Sequence, residues 1–214
     1  MNKTFLIISV VLTILSVIYM LLDYFGVIRY ISIHFKSPEK YSTVYSSLDK
    51  GHKNRVIISL HADNKNINKL KPIISSLIDQ SVRVDEIALN VDHSTIVPDY
   101  LKNYVAIHRS YNANKLTPTI IREKDTDTLI IALDSDTIYG SDFIADILDA
   151  FEDGKVIYAG KKNGIYKVPI LIKTGYFDAA FLDLKGDINN ILTHYLSSLP
   201  HKKIKTRENF KNIF

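Results

Sequence analysis

The chain has 214 residues, 46% apolar and 23% charged, with 27 Lys and Arg against 23 Asp and Glu, no Cys, no repeat and no low-complexity run. That is the make-up of a globular domain large enough to bury a sizeable core without disulfides. The charge excess is local: His201–Phe214 holds Lys202, Lys203, Lys205, Arg207 and Lys211 against Glu208, so 5 − 1 = +4 is the whole net charge. The rest of the chain is balanced and has no aromatic-basic motif, which excludes nucleic acid as the expected partner.

Phe5–Leu22 is a run of 18 residues without a charge, between Lys3 and Asp23. It is long enough to cross a bilayer with little tilt and lacks the polar face of a surface helix. It closes on Tyr19-Met20-Leu21-Leu22-Asp23-Tyr24 with no small-residue cleavage site, so residues 1–23 read as an uncleaved single-pass anchor, with the membrane as a partner. Lys3 precedes the span while Arg29, Lys36 and Lys40 follow it, a distribution that does not favour a lumenal domain. The sole N-x-[ST] sequon, Asn2-Lys3-Thr4, lies ahead of the span. Residues 24–53, rich in Ser and Tyr and broken by Pro38 and Gly51, read as a juxtamembrane stem.

A globular domain is expected over 54–200, followed by a basic tail over 201–214. Arg55–His61 reads as a strand running into the polar loop Ala62–Asn66. Ile67, Leu70, Ile73, Ile74, Leu77 and Ile78 recur at helical spacing, predicting a helix from Asn66, its N-cap, to Gln80. Val84–Val91 is a second strand that stops at Asp92-His93, and Val105–His108 a short third one. Leu116–Lys124 follows as a helix with Pro118 in its first turn. Leu129–Leu133 is wholly apolar, the mark of a strand covered on both faces. A helix capped by Ser141 runs to Phe151, Lys155–Ala159 and Ile165–Lys173 are later strands, and Asp187–Leu199 is a closing helix. Strands alternating with helices predict an α/β domain with a mostly parallel sheet. In such sheets ligands bind beyond the carboxyl ends of the strands. His61-Ala62-Asp63, Asp92-His93 and Asp134-Ser135-Asp136 all fall at those ends.

The strand over 129–133 therefore stops on two carboxylates, which are costly to place beside a buried segment without a partner. A divalent cation, Mn²⁺ or Mg²⁺, held by Asp134 and Asp136 and by two phosphate oxygens supplies one. Strand alternation puts these two side chains on one side and Ser135 on the other. The alternative is an aspartate capping the next helix and a second one in solvent. Asp125-Thr126-Asp127 has the same spacing in a turn ahead of the strand and reads as solvated.

The chain resembles glycosyltransferase family 2 and its GT-A relatives, and is similar in particular to short virus-encoded members. The resemblance runs from about Arg55 to Pro200. It rests on Arg55-Val-Ile-Ile-Ser-Leu-His61, on Leu70-Lys-Pro-Ile-Ile-Ser-Ser-Leu-Ile-Asp-Gln80-Ser81 with its S-L-x-x-Q ending, on the V-D-E-I strand after it, and on Asp134-Ser135-Asp136-Thr137-Ile138-Tyr139. It implies a GT-A (Rossmann-like) nucleotide-diphospho-sugar transferase domain: a mostly parallel sheet flanked by helices, preceded here by one transmembrane helix. It further implies a nucleotide-sugar donor, a divalent metal, and a glycan, protein or lipid acceptor. Asp63 and Asp92 would then lie near the nucleobase and ribose, Asp134 with Ser135 near ribose or metal, Asp136 on the metal, and Lys115 near the diphosphate. Inverting members need a carboxylate base, and Lys185-Gly186-Asp187-Ile188 resembles the acidic motif opening their last helix. Asp187 is the candidate, equally readable as a helix cap, with Asp183 in reserve. Gly175-Tyr176-Phe177 resembles a turn that shapes the acceptor side, and His194 or His201 could stand as a late metal ligand. Gly186 occupies the place of a second acid, and the domain is short for the family.

Two other functions compete with the transferase. One is a catalytically silent GT-A-like binding or assembly protein. The other is a nucleotidyltransferase, which would want a glycine-rich phosphate loop where this chain has His61–Asn66.

Overall fold

The computed structural model describes residues 3–111, 114–162, 165–177, 196, 198–204 and 210–211. Residues 1–37 and 38–214 form two separate compact units.

In the first unit, α1 (Lys3–Tyr24) has no buried residue, although it is the one described helix long and apolar enough to cross a membrane. Its 22 residues rise about 33 Å, against a hydrocarbon thickness of about 30 Å. The hydroxyls of Thr13 and Ser16 donate to the carbonyls of Ser9 and Thr13. Gly26, at φ 70, makes the left-handed turn into α2 (Val27–Phe35).

The second unit begins with α3 (Glu39–Ser47), so part of the expected stem is helical and belongs with the domain. Then come β1 (Val56–Ala62), α4 (Leu70–Ile78), β2 (Glu86–Asp92), β3 (Ala106–Ser110), α5 (Thr117–Arg122), β4 (Leu129–Ala132), β5 (Thr137–Ile138), α6 (Phe143–Asp149), β6 (Val156–Lys162), β7 (Ile165–Lys173), β8 (His201–Lys203) and β9 (Phe210–Lys211). The main sheet has seven strands in the order β3-β2-β1-β4-β7-β6-β8. Its first four strands are mutually parallel; β7 runs antiparallel between β4 and β6, and β8 is parallel to β6.

β4 is fully buried, as its unbroken apolarity predicts. Leu129 and Ile131 pack in one core with Val56, Ile58 and Leu60 of β1 and with α4 and α6. Ile130 and Ala132 pack in a second core with Leu116, Ile120 and β7. Each such Leu or Ile contributes about 1.5–3 kcal/mol of transfer free energy. α5 is also pinned by polar contacts: buried Thr119 bonds Ser59 of β1 at 2.6 Å, and the Asn90 carboxamide of β2 donates to both hydroxyls at 3.0 Å.

Several boundaries differ from the sequence reading. The helix expected from Asn66 begins as a 3₁₀ turn over Ile67–Lys69. Ser141 does not cap α6; the N-cap position is Asp142, and Ser141 Oγ meets its carboxylate at 3.4 Å. Beyond residue 200, β8 joins the sheet edge and β9 pairs antiparallel with β5. Lys202 is tied to Glu152 and to the Ala150 carbonyl.

Candidate functional site

The carboxyl ends of β1, β2 and β4 form one rim, set by their register. Ala62 pairs with Val91 and Ser59 with Ala132. Asp63 follows directly on β1, Asp92 is the last residue of β2, and Asp134 lies two residues past the end of β4. Asp63 works as the keystone of its loop: its Oδ1 accepts the N–H groups of Lys65 and Asn66, while Asn66 Oδ1 accepts the Asp63 N–H at 2.8 Å. The Asn66 carboxamide then donates to Ser135 Oγ at 3.1 Å, joining this loop to the carboxylate turn. Asp92, half-buried at the end of β2, has its carbonyl held by Thr95 N–H and by the Arg109 guanidinium.

The carboxylate turn differs from the expectation in one respect. β4 ends at Ala132, and a turn over Ser135 and Asp136 replaces the extended chain, so strand alternation no longer governs where Asp134 and Asp136 point. Asp134 is half-buried and accepts from Lys115 Nζ at 2.5 Å. Asp136 is exposed, with Thr137 Oγ1 donating to its Oδ1 at 3.1 Å. Lys115 is aimed by its neighbours: Asn114 Oδ1 accepts the N–H groups of Leu116 and Thr117, closing the turn into α5.

The segment after the turn is held from behind by α4 and the residues that follow it. Gln80 Nε2 donates to the Gly140 carbonyl at 2.7 Å, and its Oε1 accepts Ile144 N–H at 3.0 Å. Ser76 Oγ accepts Tyr139 N–H, and Ser81 N–H donates to the Ser141 carbonyl. This is the physical content of the S-L-x-x-Q ending: a buried serine and glutamine that fix the backbone leading away from Asp136. Tyr139, also buried, donates its hydroxyl to the Asp134 carbonyl at 2.8 Å. Burial, and then the negative charge of Asp134, push the Tyr139 phenol well above its ordinary value, so it stays a neutral donor. The contacts that Asn66, Asn114 and Tyr139 make at the rim escape the sequence reading, which takes Asn66 only as a helix cap. The asparagines' only signal is an amide just after a strand or just before a helix.

Other expected positions fall elsewhere. Asp125-Thr126-Asp127 is an exposed turn at the opposite end of β4, with Asp127 2.7 Å from Lys173 Nζ. Gly175, expected on the acceptor side, lies at that same far end, because β7 runs antiparallel to β4. Its N–H donates to the Thr126 carbonyl, and a Cβ there would stand 2.8 Å from that oxygen. His201 sits on β8 beside Val156, three strands from β4, or about 14 Å. Asp187, Asp183 and His194 lie outside the described residues. Among the described residues no group of three His, Asp or Glu could hold a metal ion.

No family model and no curated protein matches the chain. Solved structures do. The chain is similar to 4-diphosphocytidyl-2C-methyl-D-erythritol synthase at 12% identity and TM-score 0.55, covering 75% of this chain and 92% of that one. Weaker superpositions are found with TarS of S. aureus (13% identity, TM-score 0.47, 72% of this chain and 36% of that one) and with the glycosyltransferase GlyE of Streptococcus pneumoniae TIGR4 (13%, 0.45, 72% and 46%). The chain thus spans less than half the length of the latter two. Identities this low speak to fold alone. The fold is a GT-A-like, Rossmann-related α/β architecture with a mostly parallel seven-stranded sheet, and one apolar N-terminal helix ahead of it.

Proposed function

We propose that this protein is a membrane-anchored glycosyltransferase whose rim binds a nucleotide-sugar through its diphosphate together with a divalent cation. The observation that carries the reading is the Asp134–Asp136 turn. It stands at the carboxyl end of a strand buried on both faces, with an ammonium on Asp134 and the β1 loop tied to Ser135.

The donor groups suit a cation that arrives with its ligand. Two hard carboxylates are on the turn, and no third His, Asp or Glu completes a cage among the described residues. Mg²⁺-type ions are commonly held by one or two carboxylates plus substrate phosphates. Asp134 and Asp136 would hold the ion, which would offset the charge of the departing nucleoside diphosphate. Asp63, just past the end of β1, and Asp92, at the end of the adjacent β2, face the nucleoside end in this reading. Lys115 neutralises phosphate charge, and buried Tyr139 and Gln80 keep the carboxylate turn from relaxing. Asp187 is the proposed base for the acceptor hydroxyl in an inverting transfer. The acceptor is a glycan, protein or lipid reached from the membrane that α1 crosses.

A second reading, nucleotidyl transfer, draws on the near-complete coverage of the synthase. The β1 loop weighs against it, because that loop holds no glycine and closes on its own Asp63–Asn66 contacts.

Turnover separates the possibilities. Full-length protein in detergent, incubated with radiolabelled nucleotide-sugars and Mn²⁺, is expected to release nucleoside diphosphate. Asp136→Ala should abolish that release, while Asp187→Asn should stop release but keep nucleotide binding. Binding without turnover of any common donor would leave a silent GT-A-like binding protein. Release of pyrophosphate from a nucleoside triphosphate would favour the second reading.

A further inference from the structure

Lys115 places a positive charge where the proposed cation has to go. Its Nζ is 2.5 Å from Asp134 Oδ1. Its position is fixed by the Asn114 turn and by α5, which Thr119 locks to Ser59 and Asn90. Resting on the metal–diphosphate reading above, we propose that Lys115 is a positioning residue that makes metal and diphosphate bind together: the rim takes the metal–diphosphate complex and discriminates against the free ion.

Asp134, Asp136 and Lys115 together carry −1. A free divalent ion seeking both carboxylates must displace the ammonium and leave it beside a dication, with no third acidic or imidazole ligand among the described residues to offset the repulsion. A diphosphate changes the balance, because its oxygens give the ammonium a new anionic partner as the carboxylates turn to the metal. The exchange is accessible. The Lys115 and Asp134 side chains are 39% and 42% exposed, so the pair is screened and weakly held. Removing the positive charge leaves −2, which attracts a free dication more strongly and a metal–diphosphate complex less strongly. The two affinities move in opposite directions, which general damage to the site would not produce.

The test is Mn²⁺ binding to the full chain in detergent, read by the loss of the free-ion electron paramagnetic resonance signal. It is run with MnCl₂ alone and with UDP, CDP, GDP, ADP or inorganic pyrophosphate. In the wild type, the diphosphate that binds should tighten Mn²⁺ by at least about fivefold, and by linkage Mn²⁺ should tighten that diphosphate by the same factor. Lys115→Met should bind Mn²⁺ alone more tightly than the wild type and lose most of the coupling. Lys115→Arg, which keeps the charge, should retain it. If the wild type binds Mn²⁺–diphosphate but Lys115→Met leaves the affinity for Mn²⁺ alone and the coupling factor unchanged, the role of Lys115 is overturned and the rim reading stands. If the wild type binds neither a diphosphate nor its Mn²⁺ complex, the rim reading itself falls, and this inference with it.

Discussion

Gln80 shows how much of the site depends on residues that never face the rim. Its carboxamide is buried and satisfies the Gly140 carbonyl and the Ile144 N–H. Gln80→Leu strands the Ile144 N–H and takes one donor from the Gly140 carbonyl, which the Phe143 N–H also reaches, and an unpaired buried polar group costs about 1–3 kcal/mol. The denaturation midpoint should fall, and nucleotide affinity with it, because the freed segment leads out of the carboxylate turn. Tyr139→Phe removes one donor, to the Asp134 carbonyl, and should cost about 1 kcal/mol in the same measurement. Gly175→Ala is the control. Its Cβ would meet the Thr126 carbonyl at 2.8 Å, so stability should drop by about 1–3 kcal/mol with nucleotide affinity unchanged, since this contact lies at the opposite end of the sheet. The carboxylates and Gln80 were legible in the sequence because each ends a periodic segment. Asn66, Asn114 and Tyr139 were not, because their meaning lies in contacts between segments far apart in the chain, such as Asn66 with Ser135.

At the scale of elements, the hydrophobic pattern located most strands and helices of the domain but not where they stop. β4 reads five residues long from its apolarity, yet pairing ends at Ala132, since a strand ends where its backbone partners end rather than where its side chains turn polar. β8 was hidden for a related reason: its three residues, His201–Lys203, belong to a charged edge strand, and lysines on an edge look like a solvated tail. The ends of the strands away from the rim carry the acid sensitivity. Burial raises the Glu86 carboxyl, but Arg122 and His108 more than offset it, leaving the group below its ordinary value. Asp85 is likewise held down against burial, by Lys50 and the Val56 N–H. Burial lowers the His108 imidazole, with the Arg122 charge adding to it against Glu86. In all three cases the unfolded chain binds protons first on acidification, so stability is full above the unfolded value and is lost as pH falls through the folded one. The denaturation midpoint should therefore be flat from about pH 7 to about pH 9, below the range where the phenols of Tyr45 and Tyr139, both raised by burial, begin to cost stability. It should decline first through the histidine range near 6.5, then more steeply through the carboxylate range near 4. His108→Gln should shrink the first decline, which His52 shares because burial lowers its imidazole too, and leave the second.

For the whole molecule, the sequence specified an α/β domain behind an apolar helix, and the seven-stranded sheet has that character. The order β3-β2-β1-β4 was less accessible, because it depends on which strands pair across crossovers. That order is what gathers the ends of β1, β2 and β4 into one rim. α1 has no buried residue and is long and apolar enough to cross a membrane, which makes the anchor proposed above testable by fractionation. The expected outcome is that the full chain stays with the membrane fraction through a high-salt wash and is released by detergent; release by salt alone would contradict the anchor. The central claim, that the rim is a metal–nucleotide site, is tested most directly by the thermal stability of the full chain with nucleoside diphosphates, with and without Mn²⁺. A ligand at about a hundred times its dissociation constant adds about 2.7 kcal/mol, which for a chain of this size is a rise in Tm of about 5–11 °C. The account predicts such a rise for at least one nucleoside diphosphate with Mn²⁺, a much smaller one without it, and none in Asp136→Ala. An unchanged Tm with every nucleotide, or an equal rise in Asp136→Ala, would contradict it.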